Sequence, residues 1–144
     1  MQSIQTVSEN TIYVGASDRR LAKFENLFPI PRGVSYNAYV ILDEKTALLD
    51  TADASVGAQF LENVAAALDG RKLDYLIVNH MEPDHAGSIG ILTSAYPEMT
   101  LVGSAKALAM LPNFFRQVPT NPTIAVKEGD TLSLGEHTLH FVMA

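Results

Sequence analysis

The chain has 144 residues, 47% hydrophobic and 18% charged, with a formal net charge of -6, which bounds it to one globular domain with room for a real core. That acidic balance leaves no basic footprint for a nucleic-acid partner. With no cysteine, disulfides, thiolate metal sites, iron–sulfur clusters and a cysteine nucleophile are excluded within this chain; the lack of a signal-peptide pattern or a long apolar span predicts a cytoplasmic protein without a membrane segment.

In chain order, residues 3–7 and 11–14 alternate as short strands joined at Glu9-Asn10, a hairpin that opens a sheet. From Asp18 to Arg32 the pattern breaks, with Phe24, Phe28, Pro29 and Pro31 among charges, and an irregular loop with turns is expected. Residues 36–42, the turn Asp43-Glu44-Lys45 and residues 46–50 form the clearest hairpin. Its second strand ends on Asp50, either a cap or turn residue or a carboxylate that orients a neighbouring loop.

Residues 55–68 place Val56, Phe60, Leu61, Val64 and Leu68 on one helical stripe, with Glu62 and Asn63 outside it, and Asp69-Gly70 ends the helix. Residues 74–78 are almost wholly apolar, as in a strand buried on both faces. A helix is predicted from Gly87-Ser88 to about Tyr96, with Ile89, Leu92 and Tyr96 inward and Pro97 as its stop. Residues 100–103 read as a strand, and Ser104 caps a short helix closed by Pro112. Phe114 and Phe115 read as core or interface residues. Residues 124–126, 131–134 and 137–143 read as short antiparallel strands. His137 and His140, three apart, would face opposite sides of a strand and could not chelate one metal together. The alternation of strand and helix implies an α/β layered fold.

The stretch Asn79-His80-Met81-Glu82-Pro83-Asp84-His85-Ala86-Gly87-Ser88 carries the chemistry. It follows the buried strand at its carboxyl end, where open α/β sheets place their sites. Four ligand-type side chains at a strand end do not follow from solubility, and the like charges among them repel unless a cation sits between them. His80 with Glu82 could serve one metal, and Asp84 with His85 a second. Nitrogen and oxygen donors suit iron, manganese or zinc. No glycine-rich phosphate loop, Gly-x-Ser-x-Gly elbow or internal repeat competes with this reading.

Four donors give only about two per metal where three or four are needed, and the final residues end inside an apolar strand pattern. Residues 1–144 are therefore expected to be the N-terminal part of a longer polypeptide.

On Gly33-Val34-Ser35-Tyr36-Asn37-Ala38-Tyr39, Leu48-Leu49-Asp50-Thr51 and above all His80-x-Glu82-x-Asp84-His85-Ala86-Gly87-Ser88, the chain resembles the N-terminal half of the metallo-β-lactamase-like domain of flavodiiron proteins, the oxygen and nitric oxide reductases. The wider superfamily of hydrolases normally carries His-x-His-x-Asp-His, so Glu82 is the distinguishing residue, and its hard carboxylate suits a redox iron pair better than a hydrolytic zinc pair. The resemblance implies half of an αββα sandwich. It implies His80 and Glu82 on one non-haem iron, Asp84 and His85 on the other, and Asp50 as the brace of the ligand loop. It further implies a downstream flavodoxin-like domain holding FMN, a rubredoxin-type electron donor, O2 or NO as substrate, and a homodimer or homotetramer. Many relatives carry a histidine just before the Gly-x-Ser-Tyr-Asn segment, and residues 21–32 have none. The 144-residue chain alone is expected to show negligible reductase activity. The alternative is a dinuclear zinc hydrolase of the same superfamily, with metal-bound hydroxide as nucleophile.

Overall fold

A computed structural model describes residues 4–18, 23–24, 28–29, 34–79, 87–114 and 119–142. Strands β1 (Gln5–Ser8) and β2 (Thr11–Tyr13) form the expected first hairpin. Next come β3 (Ala16–Asp18), β4 (Lys23–Phe24), β5 (Phe28–Pro29) and β6 (Val34–Tyr36), in two small ladders, β3 with β6 and β4 with β5. The stretch expected to be an irregular loop thus contains short antiparallel pairing. Strand β7 (Tyr39–Leu42) pairs antiparallel with β8 (Thr46–Leu49). The single strand read over residues 36–42 is in fact split at Asn37-Ala38, because residues 34–36 pair into the side ladder.

The rest of the sheet is parallel. Strands β9 (Tyr75–Val78), β10 (Thr100–Ser104) and β11 (Thr123–Val126) complete a seven-stranded sheet in the order β1-β2-β7-β8-β9-β10-β11. The pairs β8–β9, β9–β10 and β10–β11 all run parallel. Residues 124–126 were expected in an antiparallel layer. They join the parallel sheet instead, because helical segments fill the connection from β10 and give the crossover that parallel pairing needs. Strands β12 (Thr131–Ser133) and β13 (Thr138–His140) form a separate antiparallel hairpin.

Helix α1 (Gly57–Leu68) follows a 3-10 turn over Ala54–Val56, which Asp53 caps by accepting from the Ser55 N–H at 2.9 Å. Helix α2 covers Ile89–Ala95, α3 Ala105–Ala109 and α4 Leu111–Phe114. Pro112 does not close α3 as expected; it sits in the first turn of α4, where a missing N–H costs nothing. Side chains alternate across the sheet with period 2. Leu48, Leu76, Val78 and Leu101 meet Phe60, Val64, Ile89 and Leu92 on the helical face. Ala47, Ile77, Val102 and Val126 point the other way, toward Leu132, Leu134, Leu139 and Phe141 of the hairpin segment. One helical layer, one sheet and the beginning of a second β layer are therefore stacked in that order.

Asn63, expected outside the apolar stripe, is fully buried. Its amide donates to the carbonyls of Val14 and Gly15 at 3.1 and 3.2 Å and its oxygen accepts from Gln59 at 2.8 Å, so the polar group is satisfied inside the core. On the opposite face, Asp43 in the β7–β8 turn pins the hairpin segment: its carboxylate accepts from the Glu136 and His137 N–H groups at 3.2 and 2.6 Å and lies 2.7 Å from the His137 ring nitrogen. Phe115 and the ligand-type residues 80–85 lie outside the described residues, as does the side chain of Phe114. No helix among the described residues is long and apolar enough to cross a membrane.

Candidate metal centre

Strands β8 and β9 run side by side in the same direction, with Leu49 in register with Ile77. Their carboxyl ends therefore emerge together, and the residues that leave them, Asp50 and Asn79, become neighbours. The ladder carries on one step past the strands, since the Asp50 N–H donates to the Ile77 carbonyl at 3.0 Å. At that point the Asp50 backbone turns into the left-handed region, with φ of 64°. This is a conformation that aspartate tolerates better than most residues.

The turn aims the Asp50 carboxylate at Asn79. One oxygen accepts from the Asn79 backbone N–H at 2.9 Å, the other from its side-chain amide at 3.0 Å. Both are charge-assisted bonds, the stronger kind. Asn79 immediately precedes His80, so the position at which the chain leaves the sheet toward His80, Glu82, Asp84 and His85 is held by a bidentate grip. Those four residues fall outside the described part of the chain. Among the described residues, no three His, Asp or Glu side chains form a group able to hold a metal.

A cavity of about 690 Å³ opens at the same end of the sheet. Asp50 and Asn79 line it together with Leu49, Ile77, Val126, Ser104, His140 and Phe141. The two C-terminal histidines go to different places: His140 lines this cavity, whereas His137 is bonded to Asp43. Sequence reasoning did not single out Asn79 as a holding residue. Its only signal was position, directly between the apolar strand and the first imidazole.

The donor chemistry of residues 80–85 fits a pair of first-row metals of the iron or zinc kind: neutral imidazoles and carboxylates without a thiolate. The grip on Asn79 fixes where the chain leaves β9 on its way to those residues.

Residues 34–144 match the family model described as ODP family beta lactamase. The chain is 40% identical over 129 residues to the rubredoxin-oxygen oxidoreductase of Megalodesulfovibrio gigas, a match covering 89% of this chain and 32% of that protein. It is 35% identical over 139 residues to the nitric oxide reductase of Moorella thermoacetica, covering 96% of this chain and 35% of that protein. Among solved structures, the flavodiiron protein from Giardia intestinalis matches with a TM-score of 0.86 at 25% identity, covering 96% of this chain and 33% of the other. The chain thus spans about a third of the length of these relatives. The layered fold is the metallo-β-lactamase-like fold in part.

Proposed function

Since the chain belongs to the ODP family beta lactamases, the metallo-β-lactamase-like domain of flavodiiron proteins, we propose that it is the N-terminal part of an oxidoreductase that reduces O2 to water, NO to N2O, or both. The observation that carries the proposal is the Asp50–Asn79 grip at the threshold of the His80-x-Glu82-x-Asp84-His85 sequence. In this reading His80 and Glu82 hold one non-haem iron and Asp84 and His85 the other. The remaining donors would come from a stretch of the same polypeptide equivalent to the part of the relatives that this chain does not span. When bound, the iron pair supplies reducing electrons and open positions for a diatomic substrate.

The chain's own residues do the positioning. Asp50 keeps Asn79, and with it the start of the ligand sequence, at the carboxyl end of β9. Glu82 in place of a histidine raises the oxygen content of the donor set, which favours iron over zinc. The cavity wall combines the apolar Leu49, Ile77, Val126 and Phe141 with the polar Asp50, Asn79, Ser104 and His140.

The proposal includes an FMN domain elsewhere in the polypeptide, a rubredoxin-type electron donor, a homodimer or homotetramer, and a cytoplasmic location. The names of the Megalodesulfovibrio gigas and Moorella thermoacetica relatives support the substrates, and the first of them the donor. The zinc hydrolase alternative has no comparable support. Metal and flavin analysis of the complete gene product, with O2 and NO consumption driven by a reduced rubredoxin, tests the reading. Iron and FMN with turnover of either gas is the expected result; zinc without flavin and without turnover would overturn it.

A further inference from the structure

Asp50 begins a four-residue connection, Asp50-Thr51-Ala52-Asp53, between β8 and the 3-10 turn. Its two ends touch two different places in the chain. The Asp50 carboxylate holds Asn79, just before the ligand sequence. The Asp53 carbonyl accepts from the Ser88 hydroxyl, just after it, in a long hydrogen bond of 3.4 Å. The connection itself is firmly seated: Thr51 and Ala52 are fully buried, and the Asp53 side chain and carbonyl both take part in the 3-10 turn, accepting from the Ser55 and Val56 N–H groups.

Ser88 occupies the N-cap position of α2, where a serine side chain ordinarily accepts from an N–H of its own first turn. Here it makes no such cap bond. Ser104 shows the ordinary behaviour in the same molecule, accepting from the Ala107 N–H at 3.0 Å at the start of α3. The Ser88 hydroxyl is diverted to the neighbouring connection and is only 1% exposed. Gly57 completes the arrangement. A Cβ at that position would stand 3.0 Å from the Ile91 Cδ1 and 3.4 Å from the Ser88 Oγ, so the absence of a side chain lets the starts of α1 and α2 approach each other.

We propose that Ser88 is a positioning residue for the metal pair: the Asp50–Asp53 connection clasps both ends of the ligand sequence, through Asn79 at the entrance and Ser88 at the exit, and so limits how far the donors of one metal can drift from those of the other. The idea rests on the function proposed above and adds to it a second anchor. A loop tied at one end can relax around a departing metal, whereas a loop tied at both ends keeps its donors near the places they vacate.

The test uses the complete, iron-loaded gene product and reads the rate at which a strong chelator strips its iron, beside the thermal midpoint and the electron paramagnetic resonance spectrum of the half-reduced pair. Ser88→Ala is expected to speed iron loss roughly tenfold and alter the spectrum. Thr93→Ala is the matched control: Thr93 is 7% exposed and its hydroxyl donates to the Gly90 carbonyl within the same helix at 2.9 Å. It removes a buried hydroxyl from α2 without touching the connection and should leave both readouts at wild-type values. Ser88→Cys keeps the side chain's place with a weaker donor; it should fall between wild type and Ser88→Ala, and it serves as the main variant if Ser88→Ala does not fold. Iron loss and a spectrum unchanged in the Ser88 variants, or changed equally in Thr93→Ala, would overturn the clasp. A wild type that binds no iron would instead overturn the proposed function, so the two failures are separable.

Discussion

Asp50 and Asn79 meet as a bidentate pair, with both carboxylate oxygens taken up by the two N–H donors of one asparagine, at 2.9 and 3.0 Å. They meet because parallel pairing of β8 and β9 brings two carboxyl termini to the same place. Asp50→Asn should keep the backbone course but retain one acceptor where two are used, so that one bond becomes neutral and the other is lost as its NH2 faces a donor of Asn79; Asp50→Ala should lose both and leave an alanine at φ of 64°. Iron affinity of the complete gene product is expected to fall roughly tenfold for Asp50→Asn and further for Asp50→Ala, with turnover falling in the same order. Metal titration with an iron-competing chelator checks the ranking.

The Asp43 carboxyl is pushed up by desolvation, but bonds from the His137 N–H and ring and from the Glu44 and Glu136 N–H groups outweigh this and hold it well below the usual carboxylate range. A carboxyl whose pKa is lower in the folded than in the unfolded chain stabilises the fold above its unfolded value. That contribution is lost as pH falls below about 4 toward the folded value. Asp43→Asn should therefore lower the thermal midpoint at neutral pH, and the gap to wild type should narrow as pH falls through that window. Thermal unfolding at a series of pH values reads both.

Gly135 offers an independent way to disturb the same contact. It sits at φ of 123°, and a Cβ there would stand 2.7 Å from an Asp43 carboxylate oxygen and 2.8 Å from the Glu44 Cγ. Gly135→Ala should destabilise by about 1–3 kcal/mol from strain in the backbone alone, and the double variant with Asp43→Asn should lose less than the sum of the singles. A double-mutant cycle in denaturant measures the shortfall.

Asn63→Ala would strand the buried carbonyls of Val14 and Gly15 that its amide now satisfies. A loss of about 1–3 kcal/mol is expected for each carbonyl left without a donor, less where water reaches it. Asn63→Leu would fill the space yet supply no donor and should also destabilise. Urea midpoints of the two variants against wild type decide this.

Glu82→His would convert the sequence to His-x-His-x-Asp-His, replacing a hard oxygen donor by an imidazole. The expected outcome is a higher zinc-to-iron ratio in protein expressed with both metals supplied, and lower gas-reducing turnover. Elemental analysis of the purified variant reads the ratio directly.

Much of the fold could be read in the chain because local pattern and burial agree there. Strand β8, the amphipathic α1 and the apolar β9 carry their own period and form within a residue or two of where the sequence places them, whereas β7 starts at Tyr39, three residues later than read, because residues 34–36 pair elsewhere. Pro112 and Asn63 did not follow local rules. A proline reads as a stop until a second helix is found to begin one residue before it, and an asparagine reads as surface until two stray carbonyls are found above it.

The candidate site divides in the same way. Donor type and spacing are properties of consecutive residues, so His80, Glu82, Asp84 and His85 stand out in the sequence with no structure at all. What holds such donors depends on which chain segments become neighbours. Asp50 lies 29 residues before Asn79, and Asp53 lies 35 before Ser88. Only parallel pairing of β8 with β9, and the close approach of α1 to α2 at Gly57, make one short connection the neighbour of both ends of the ligand sequence. Sequence alone determined the chemistry available and marked Asp50 as a carboxylate that could orient a loop; the tertiary structure decided that its partner is Asn79, because hydrogen bonds at 2.9 Å are set by distance in space and not by distance along the chain.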